Sequence, residues 1–315
     1  MSPAAGGPPP AADPSPAGSR SLGDRAPGTR EPPGGGPEGL LLVDKPRGVT
    51  SHDVVDAVRR ALGTRKVGHA GTLDPMATGL LVVGVGRATR LLRFLGDLPK
   101  TYEGTGRLGE ETDTLDAEGR IVGRAQVRVS REQLERAMRA LEGESLQRPP
   151  AYSAARVGGR RLYQAARRGQ TLEAPPRRIR VDSFELLGFD GRDFDFRVTC
   201  SGGTYVRVLV ADVGRALGCG AHLVRLVRTA IGPFRLEEAV APDALGTPLP
   251  LEAAVRHLPR VELSWDEAGA ARHGRPLGPA GLAGPYGVFD PEGRLVGVYR
   301  DDGAKARPEV ILAPA

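Results

Sequence analysis

Between residues 67 and 79 the chain reads Val-Gly-His-Ala-Gly-Thr-Leu-Asp-Pro-Met-Ala-Thr-Gly. Gly68, Gly71 and Gly79 give the backbone unusual freedom, while Pro75 fixes the bond after the acid and biases Asp74 away from helical geometry. Such a stretch reads as a loop set between a helix over 51–62 and the apolar run Leu80 to Val85. The side chain of Asp74 is then aimed by its own backbone. An Asp-Pro pair is ordinarily a turn or a helix cap, and the rest of the chain argues that this one is more.

A chain of 315 residues, 40% of them hydrophobic, is long enough for a large core and for two domains. Residues 1 to 38 hold ten prolines and eight glycines, with Met1 and Leu22 their only apolar residues apart from alanine. That composition predicts a disordered tail, because too little surface can be buried to offset chain entropy. Order is expected from Gly39. A proline-marked stretch over 241–250 predicts a boundary between a larger unit over 39–245 and a smaller one over 250–315.

Cys200 and Cys219 are the only cysteines, and no Cys/His grouping has metal-ligand spacing. Neither a zinc site nor a disulfide framework is expected. No apolar run reaches the roughly 18 residues of a membrane span, and the start lacks the pattern of a signal peptide. A cytoplasmic protein away from the membrane is expected.

Leu40 to Val43 reads as a buried strand, and Ser51 as the cap of a helix with Val54, Val58 and Ala61 on one face. A strand over 80–85 and a short helix near 88–95 come next. Residues 101–124 look like β-hairpin material, and Ser130-x-x-Gln133 is a capping box. Strands near 179–189, 194–200 and 223–230 frame a helix over 206–217. Val208, Leu209, Val213 and Leu217 form its core side, so Arg207 beside them either snorkels to solvent or meets a buried carboxylate. The smaller unit should hold helices near 251–257 and 266–273, a strand over 261–265, a hairpin about 290–293 and a last strand near 310–312. The fold class is α+β: a mixed, largely antiparallel sheet followed by a small β-rich unit.

Gly84-x-Gly86 and Gly104-x-Gly106-x-x-Gly109 imitate a dinucleotide fingerprint, but neither has the full spacing in a strand, turn and helix context. Nicotinamide or flavin binding is therefore not expected. A stronger combination is an acid (Asp74), planar faces (Tyr102 and Tyr205), a cation (Arg207) and a polar ring (His69). Taken singly, each tyrosine fits core packing and His69 a structural role. Together they suit chemistry on a nucleobase or its glycosidic bond, where the nucleotide must leave its stack and a nearby guanidinium favours the charged carboxylate.

Charge distribution adds a partner. The formal net charge is +6, yet residues 146–181 alone carry nine arginines and one acid, Glu173, a local charge of +8. Arg148, Arg156, Arg160, Arg161, Arg167 and Arg168 are the candidate contacts for an RNA backbone, the alternative being a solvated face.

At these residues the chain resembles the TruB family of tRNA pseudouridine synthases. Lys45-Pro46-Arg47-Gly48-Val49-Thr50-Ser51 and Gly68 to Gly79 look like its first two signature motifs. Further matches follow in order: Lys100-Thr101-Tyr102, Arg148 to Ala154, Arg161-Leu162-Tyr163, Gly203-Thr204-Tyr205-Val206-Arg207, and Gly220 to Leu223 with Leu226, Arg228 and Thr229. They span about Gly39 to Pro233.

The resemblance implies a cofactor-free and metal-free isomerase that converts the uridine at position 55 of the tRNA T-loop to pseudouridine. Asp74 matches the essential aspartate, acting on the sugar, on the base or in proton removal. Tyr102 would stack on the flipped base and Arg207 would pair with Asp74. His69 would help hold the extruded RNA, Tyr205 and Leu226 would line the pocket, and Lys45 would support the catalytic loop. The arginine-rich segment would clamp the T-arm. By position and strand content, residues beyond 250 would form a PUA-like RNA-binding domain. A monomer acting on tRNA without a protein partner is expected. Two other roles are distinguishable: an RNA-folding chaperone, which would act without Asp74, and the guide-RNA-dependent branch, against which the lack of Lys-rich tails and the compact C-terminal unit argue.

Overall fold

Seven consecutive residues, Gly79 to Val85, are buried, and a sheet is assembled around them. The computed structural model describes residues 36 to 312 apart from 154, 167 and 171. Most of the tail expected over 1–38 therefore lies outside the described residues. In chain order the larger part runs β1 (Gly39–Lys45), α1 (Ser51–Leu62), β2 (Val67–His69), β3 (Thr78–Val85), α2 (Arg93–Gly96), β4 (Lys100–Leu108), β5 (Glu110–Thr112) and β6 (Ile121–Arg124). It continues through α3 (Arg131–Arg139), β7 (Gly143–Gln147), β8 (Arg156–Val157), β9 (Arg160–Arg161), α4 (Leu162–Ala166), β10 (Arg177–Phe189), β11 (Asp193–Cys200), α5 (Val206–Ala216), β12 (Ala221–Ile231) and β13 (Phe234–Arg235). The remainder holds β14 (Arg260–Glu262), α6 (Trp265–Arg272), β15 (Pro285–Phe289), β16 (Leu295–Asp302) and β17 (Lys305–Ile311).

A nine-stranded sheet has the order β1-β3-β12-β4-β11-β10-β7, with β2 also on β3 and β13 on β12. Its one parallel pairing is β12 on β3. A second sheet, β14-β15-β16-β17, belongs to the C-terminal part. The mixed α+β class and the separate small β sheet agree with expectation.

The pairing of β3 makes room for the glycine-framed loop. One edge of β3 is covered by β1 throughout, while the other is shared. There β2 takes the end, Val83 to Val85, and β12 takes the start, Thr78 and Gly79. Residues 70–77 bridge this fork. The two backbones approach so closely at Gly79, whose φ is +98°, that a Cβ there would lie 2.5 Å from the Arg228 carbonyl oxygen.

The glycines of β4 are explained by packing. Gly104 and Gly106 lie on its core face, where added Cβ atoms would lie 2.7 Å from the Phe196 ring and 2.4 Å from the Phe194 ring. These two β11 rings and Phe184 fill the space, with Phe184 edge-on to Phe196 at 5.3 Å. Tyr102 joins the same core between the sheet and helices α3 and α5.

Some local expectations are corrected. Thr50, not Ser51, caps α1, in a capping box with Asp53. Ser51 is buried and bonds to the loop instead. Ala61 is exposed, and Val54, Val55 and Val58 make the buried face. In α5 the core side is Val206, Leu209, Val210 and Val213, with Val208 only half-buried. Residues 101–124 are not one hairpin: β4 is an inner strand between β12 and β11, and only β5 and β6 pair as a hairpin.

Candidate active site

The loop over 70–77 is held from below. Ala70, Leu73, Met76 and Ala77 are buried, while the Asp74 side chain keeps 35% of its surface exposed. Apolar anchors on both sides thus turn the one acid outward. The segment after β1 fastens this loop. Ser51 Oγ accepts from Leu73 N at 2.8 Å and lies 3.2 Å from Leu73 O, and Gly48 N donates to Pro75 O at 2.8 Å. Lys45, fully buried, donates from Nζ to the carbonyls of Val49 (2.7 Å), Pro46 (2.9 Å) and Pro75 (3.4 Å). Burial pushes its ammonium down to about 8, with Asp74 opposing the shift. Arg228, also buried, ties the other side by donating to Leu80 O (2.7 Å) and Gly71 O (3.1 Å).

Opposite the loop stands Arg207, in the first turn of α5. Its guanidinium is 3% exposed and has four partners. Nε lies 2.9 Å from Asp74 Oδ2, Nη1 lies 3.3 Å from Asp116 Oδ2 and donates to Thr114 O at 2.7 Å, and Nη2 donates to Tyr152 O at 2.9 Å. The Nε contact is close in distance but not aligned as a hydrogen bond, so it is an ion pair that leaves the carboxylate free to turn. Asp116 is fixed from the other side, with Oδ1 accepting from Thr114 Oγ1 at 2.6 Å and Glu118 N at 3.1 Å. Arg207 thus stands between two carboxylates, one buried and fixed, the other half-exposed.

The two meet at a cavity of about 470 Å³ lined by Asp74, Tyr102, Tyr205, Arg207 and Leu226, and also by Thr72, Leu73, Ala155, Arg177, Thr204 and Val206. That volume is in the range of concave ligand sites. Burial raises the Tyr102 phenol well above its usual range, opposed in part by the adjacent Arg228 guanidinium. It is therefore a neutral hydroxyl on a planar ring at neutral pH. His69 is not among the lining residues. It ends β2, opposite Val83, with Nδ1 buried and without an aligned partner, and burial lowers its pKa. The described residues contain no cluster of metal-ligating side chains.

Of the six arginines expected to grip RNA, Arg148, Arg160 and Arg168 are exposed, and Arg148 is paired with Glu173. Arg156 and Arg161 pair through their backbones in the β8–β9 hairpin, and Arg167 lies outside the described residues. Sequence reading passed over Asp116, which pairs with Arg207, and Gln147, whose side chain bonds to the backbone of Tyr205. No pattern marks either one, because both partners are far away in sequence. Arg228 was noticed only as a motif match.

This architecture and site have clear relatives. Models described as TruB family pseudouridylate synthase (N terminal domain), tRNA pseudouridylate synthase B C-terminal domain, and tRNA Pseudouridine synthase II, C terminal, match residues 59–206, 207–249 and 258–313. The tRNA pseudouridine synthase B of Mycobacterium sp. (strain KMS) is 49% identical over 287 residues, which cover 88% of this chain and 97% of that one. The protein of that name from Thermobifida fusca (strain YX) is 46% identical over 289 residues, 88% of this chain and 99% of the relative. Among solved structures, a Cbf5-Nop10-Gar1 complex superposes with a TM-score of 0.69 at 28% identity, covering 88% of this chain and 85% of that one. An H/ACA RNP bound to a substrate RNA containing 2′-deoxyuridine gives 0.67 at 26%, with the same coverage. The fold and the matched sequence are those of a pseudouridine synthase. Within that class, the chain belongs to the TruB family.

Proposed function

We propose that this protein isomerises uridine to pseudouridine at position 55 in the T-loop of tRNA, without a cofactor, using Asp74 as the catalytic carboxylate. The observation that carries the reading is the half-exposed Asp74 carboxylate at a cavity wall, 2.9 Å from the buried Arg207 guanidinium and sharing the cavity with Tyr102. The tRNA substrate follows the curated relatives, each named a tRNA pseudouridine synthase.

The reaction conserves atoms and electrons. The bond from N1 to C1′ breaks, the detached uracil turns, a bond from C5 to C1′ forms, the proton on C5 leaves and N1 ends protonated. No oxidant or reductant is consumed. Base extrusion costs a few kcal/mol, least for a nucleotide that is already unstacked, as in a loop. Inside the cavity the Tyr102 ring supplies a stacking face and its hydroxyl a proton relay. Tyr205 and Leu226 close the apolar sides, and His69, outside the cavity lining, helps hold the extruded strand. Arg207 faces Asp74 Oδ2 as an unaligned ion pair, so the carboxylate can turn to act on the sugar, on the base or in proton removal.

Exposed Arg160, Arg168, Arg177 and Arg178 carry no ion pair among the described residues and are free for phosphates. Arg177 also lines the cavity, joining the clamp to the chemistry. The protein works as a monomer with tRNA as its partner, and its residues beyond 250 act as a PUA-like RNA-binding domain. Binding by these arginines does not need Asp74, so a tRNA-folding role would survive its neutralisation.

The test is tritium release from C5-labelled uridine in a tRNA transcript, and in a bare T-arm, with protein alone. Wild type should release tritium from both. Asp74→Asn should bind tRNA with unchanged affinity and release none. Ordinary turnover by that variant would refute the assignment.

A further inference from the structure

Gln147 is the last residue of β7, an edge strand, and its side chain is buried. Its carboxamide makes a two-point contact with one residue: Oε1 accepts from Tyr205 N at 2.7 Å and Nε2 donates to Tyr205 O at 3.2 Å. This is the pattern by which one peptide group pairs with another across a sheet. Tyr205 is in extended geometry (φ −98°, ψ 106°) immediately before α5, and no side chain caps that helix end. Gln147 therefore takes the place of a neighbouring strand at the point where the chain enters the helix.

Three cavity features converge on this contact. Tyr205 lines the cavity, and Arg207 follows two residues later in the first helical turn. Across the sheet the backbone of Gln147 pairs with Arg177, a third lining residue. The next residue, Arg148, opens the arginine-rich segment. We propose that Gln147 is a positioning residue for the isomerisation: by fixing the peptide groups of Tyr205 it sets the Tyr205 side chain against the uracil and Arg207 against Asp74, and it joins both to the base of the RNA clamp. This inference rests on the functional reading above. Its physical basis is that both peptide groups at the helix entrance lie beside a buried amide, where losing the partner leaves them free to rotate, and a shift of about 1 Å in a reacting group costs on the order of a hundredfold in rate.

The contact can be taken apart without removing bulk. In Gln147→Glu the ionised carboxylate accepts from Tyr205 N but faces Tyr205 O with a second acceptor, whereas the protonated acid restores both the donor and the acceptor. In Gln147→Leu both are absent at every pH. Steady-state kinetics on full-length protein with a tRNA transcript, from pH 5 to 8.5, read the difference. At pH 8 both variants should lose about tenfold or more in kcat, with KM within about twofold of wild type. On lowering the pH, Gln147→Glu should regain activity relative to wild type while Gln147→Leu should not. Equal losses in both variants that do not change with pH would reduce Gln147 to structural support and overturn the inference. So would a kcat within twofold of wild type, or a rise in KM alone. Asp74→Asn, assayed in parallel, separates the levels: an active Asp74→Asn sinks the functional reading itself, whereas an inactive one beside fully active Gln147 variants sinks this inference only.

Discussion

Arg207 Nε lies 2.9 Å from Asp74 Oδ2, yet the Nε proton does not point along that line. The well-aligned donors of the same guanidinium go to carbonyls, Thr114 O at 2.7 Å and Tyr152 O at 2.9 Å. Arg207 is thus fixed by the turn around Asp116 and by the arginine-rich segment, and it supplies Asp74 with charge more than with a rigid bond. A carboxylate so placed is near a cation and still able to turn toward the cavity.

Replacing Arg207 by lysine keeps the charge but discards the planar fork. One ammonium on a flexible stem cannot reach two carboxylates and two carbonyls in four directions. Arg207→Lys should bind tRNA nearly as wild type and lose about a hundredfold or more in kcat, equivalent to about 2.7 kcal/mol, measured by single-turnover tritium release. Near-normal turnover would show that only charge matters at this position.

Asp116→Asn preserves size and the bonds to Thr114 and Glu118 while deleting a buried charge. Arg207 would then be compensated by Asp74 alone, drawing the proposed catalytic carboxylate toward it and away from the cavity. The expected outcome is a loss of about 1–3 kcal/mol in stability, the cost of weakening a charged buried contact, and a fall in kcat of about tenfold. Urea unfolding and the tritium assay measure the two separately.

Gly79→Ala tests the fork in β3. Its φ of +98° strains any L side chain, and the new Cβ would meet the Arg228 carbonyl at 2.5 Å. Both partners are backbone, so nothing can swing aside. Destabilisation should exceed the 1–3 kcal/mol typical of overpacking, read as a drop in urea midpoint, whereas Gly143→Ala, with a positive φ but open space around it, should cost less.

Much of this was legible in the chain because it is local. The loop over 67–79, the run Leu80 to Val85 and the capping box at Ser130 announce themselves through glycine, proline, apolar and cap residues at short spacing. Arg207 was legible as an anomaly, a cation in the first turn of a mostly apolar helix. Asp116 and Gln147 were not, since each acts through a partner at least 58 residues away in sequence. The cap of α1 was misread by one residue because Ser is by itself the better cap, whereas the reciprocal Thr50-x-x-Asp53 box was overlooked and Ser51 Oγ is taken by Leu73 N. The glycines of β4 were legible as a pattern but not in their packing role, because the rings they make room for, Phe194 and Phe196, come from a strand some ninety positions later.

Two buried lysines give stability a defined pH dependence. Burial lowers Lys45 and Lys100 to about 8 from 10.5. Between those values the folded protein has released protons that the unfolded chain still holds, so the unfolded state binds more of them and these two groups make stability rise with pH across that window. Below pH 8 both are charged while buried, and their penalty is fully present. Cys200, pushed up to about 11 by burial, acts in the opposite sense above pH 9, so the measurement is a difference. Wild type minus Lys100→Met, by urea unfolding at pH 7 to 10, should rise with pH above 8. A flat difference would mean that Lys100 stays protonated through its bonds to the Gly96 and Leu98 carbonyls.

The exposed arginines should separate affinity from chemistry. Arg160 and Arg168 are free of ion pairs among the described residues, whereas Arg148 is engaged by Glu173 and Arg180 by Asp182. A phosphate contact made by a free arginine releases counterions, so its removal should lower the slope of log affinity against log salt by roughly 0.7–0.9. Arg160→Ala and Arg168→Ala should each show that reduction in filter binding of tRNA, with kcat at saturating tRNA unchanged. Arg148→Ala should show less, because its charge is already partly balanced. Arg177→Ala should differ from all three: it lines the cavity as well as the surface, so it should lose salt dependence and turnover together. If Arg177→Ala instead matched Arg160→Ala in both measurements, the clamp and the catalytic cavity would be energetically separate, and the arginine-rich segment would serve only to hold the RNA.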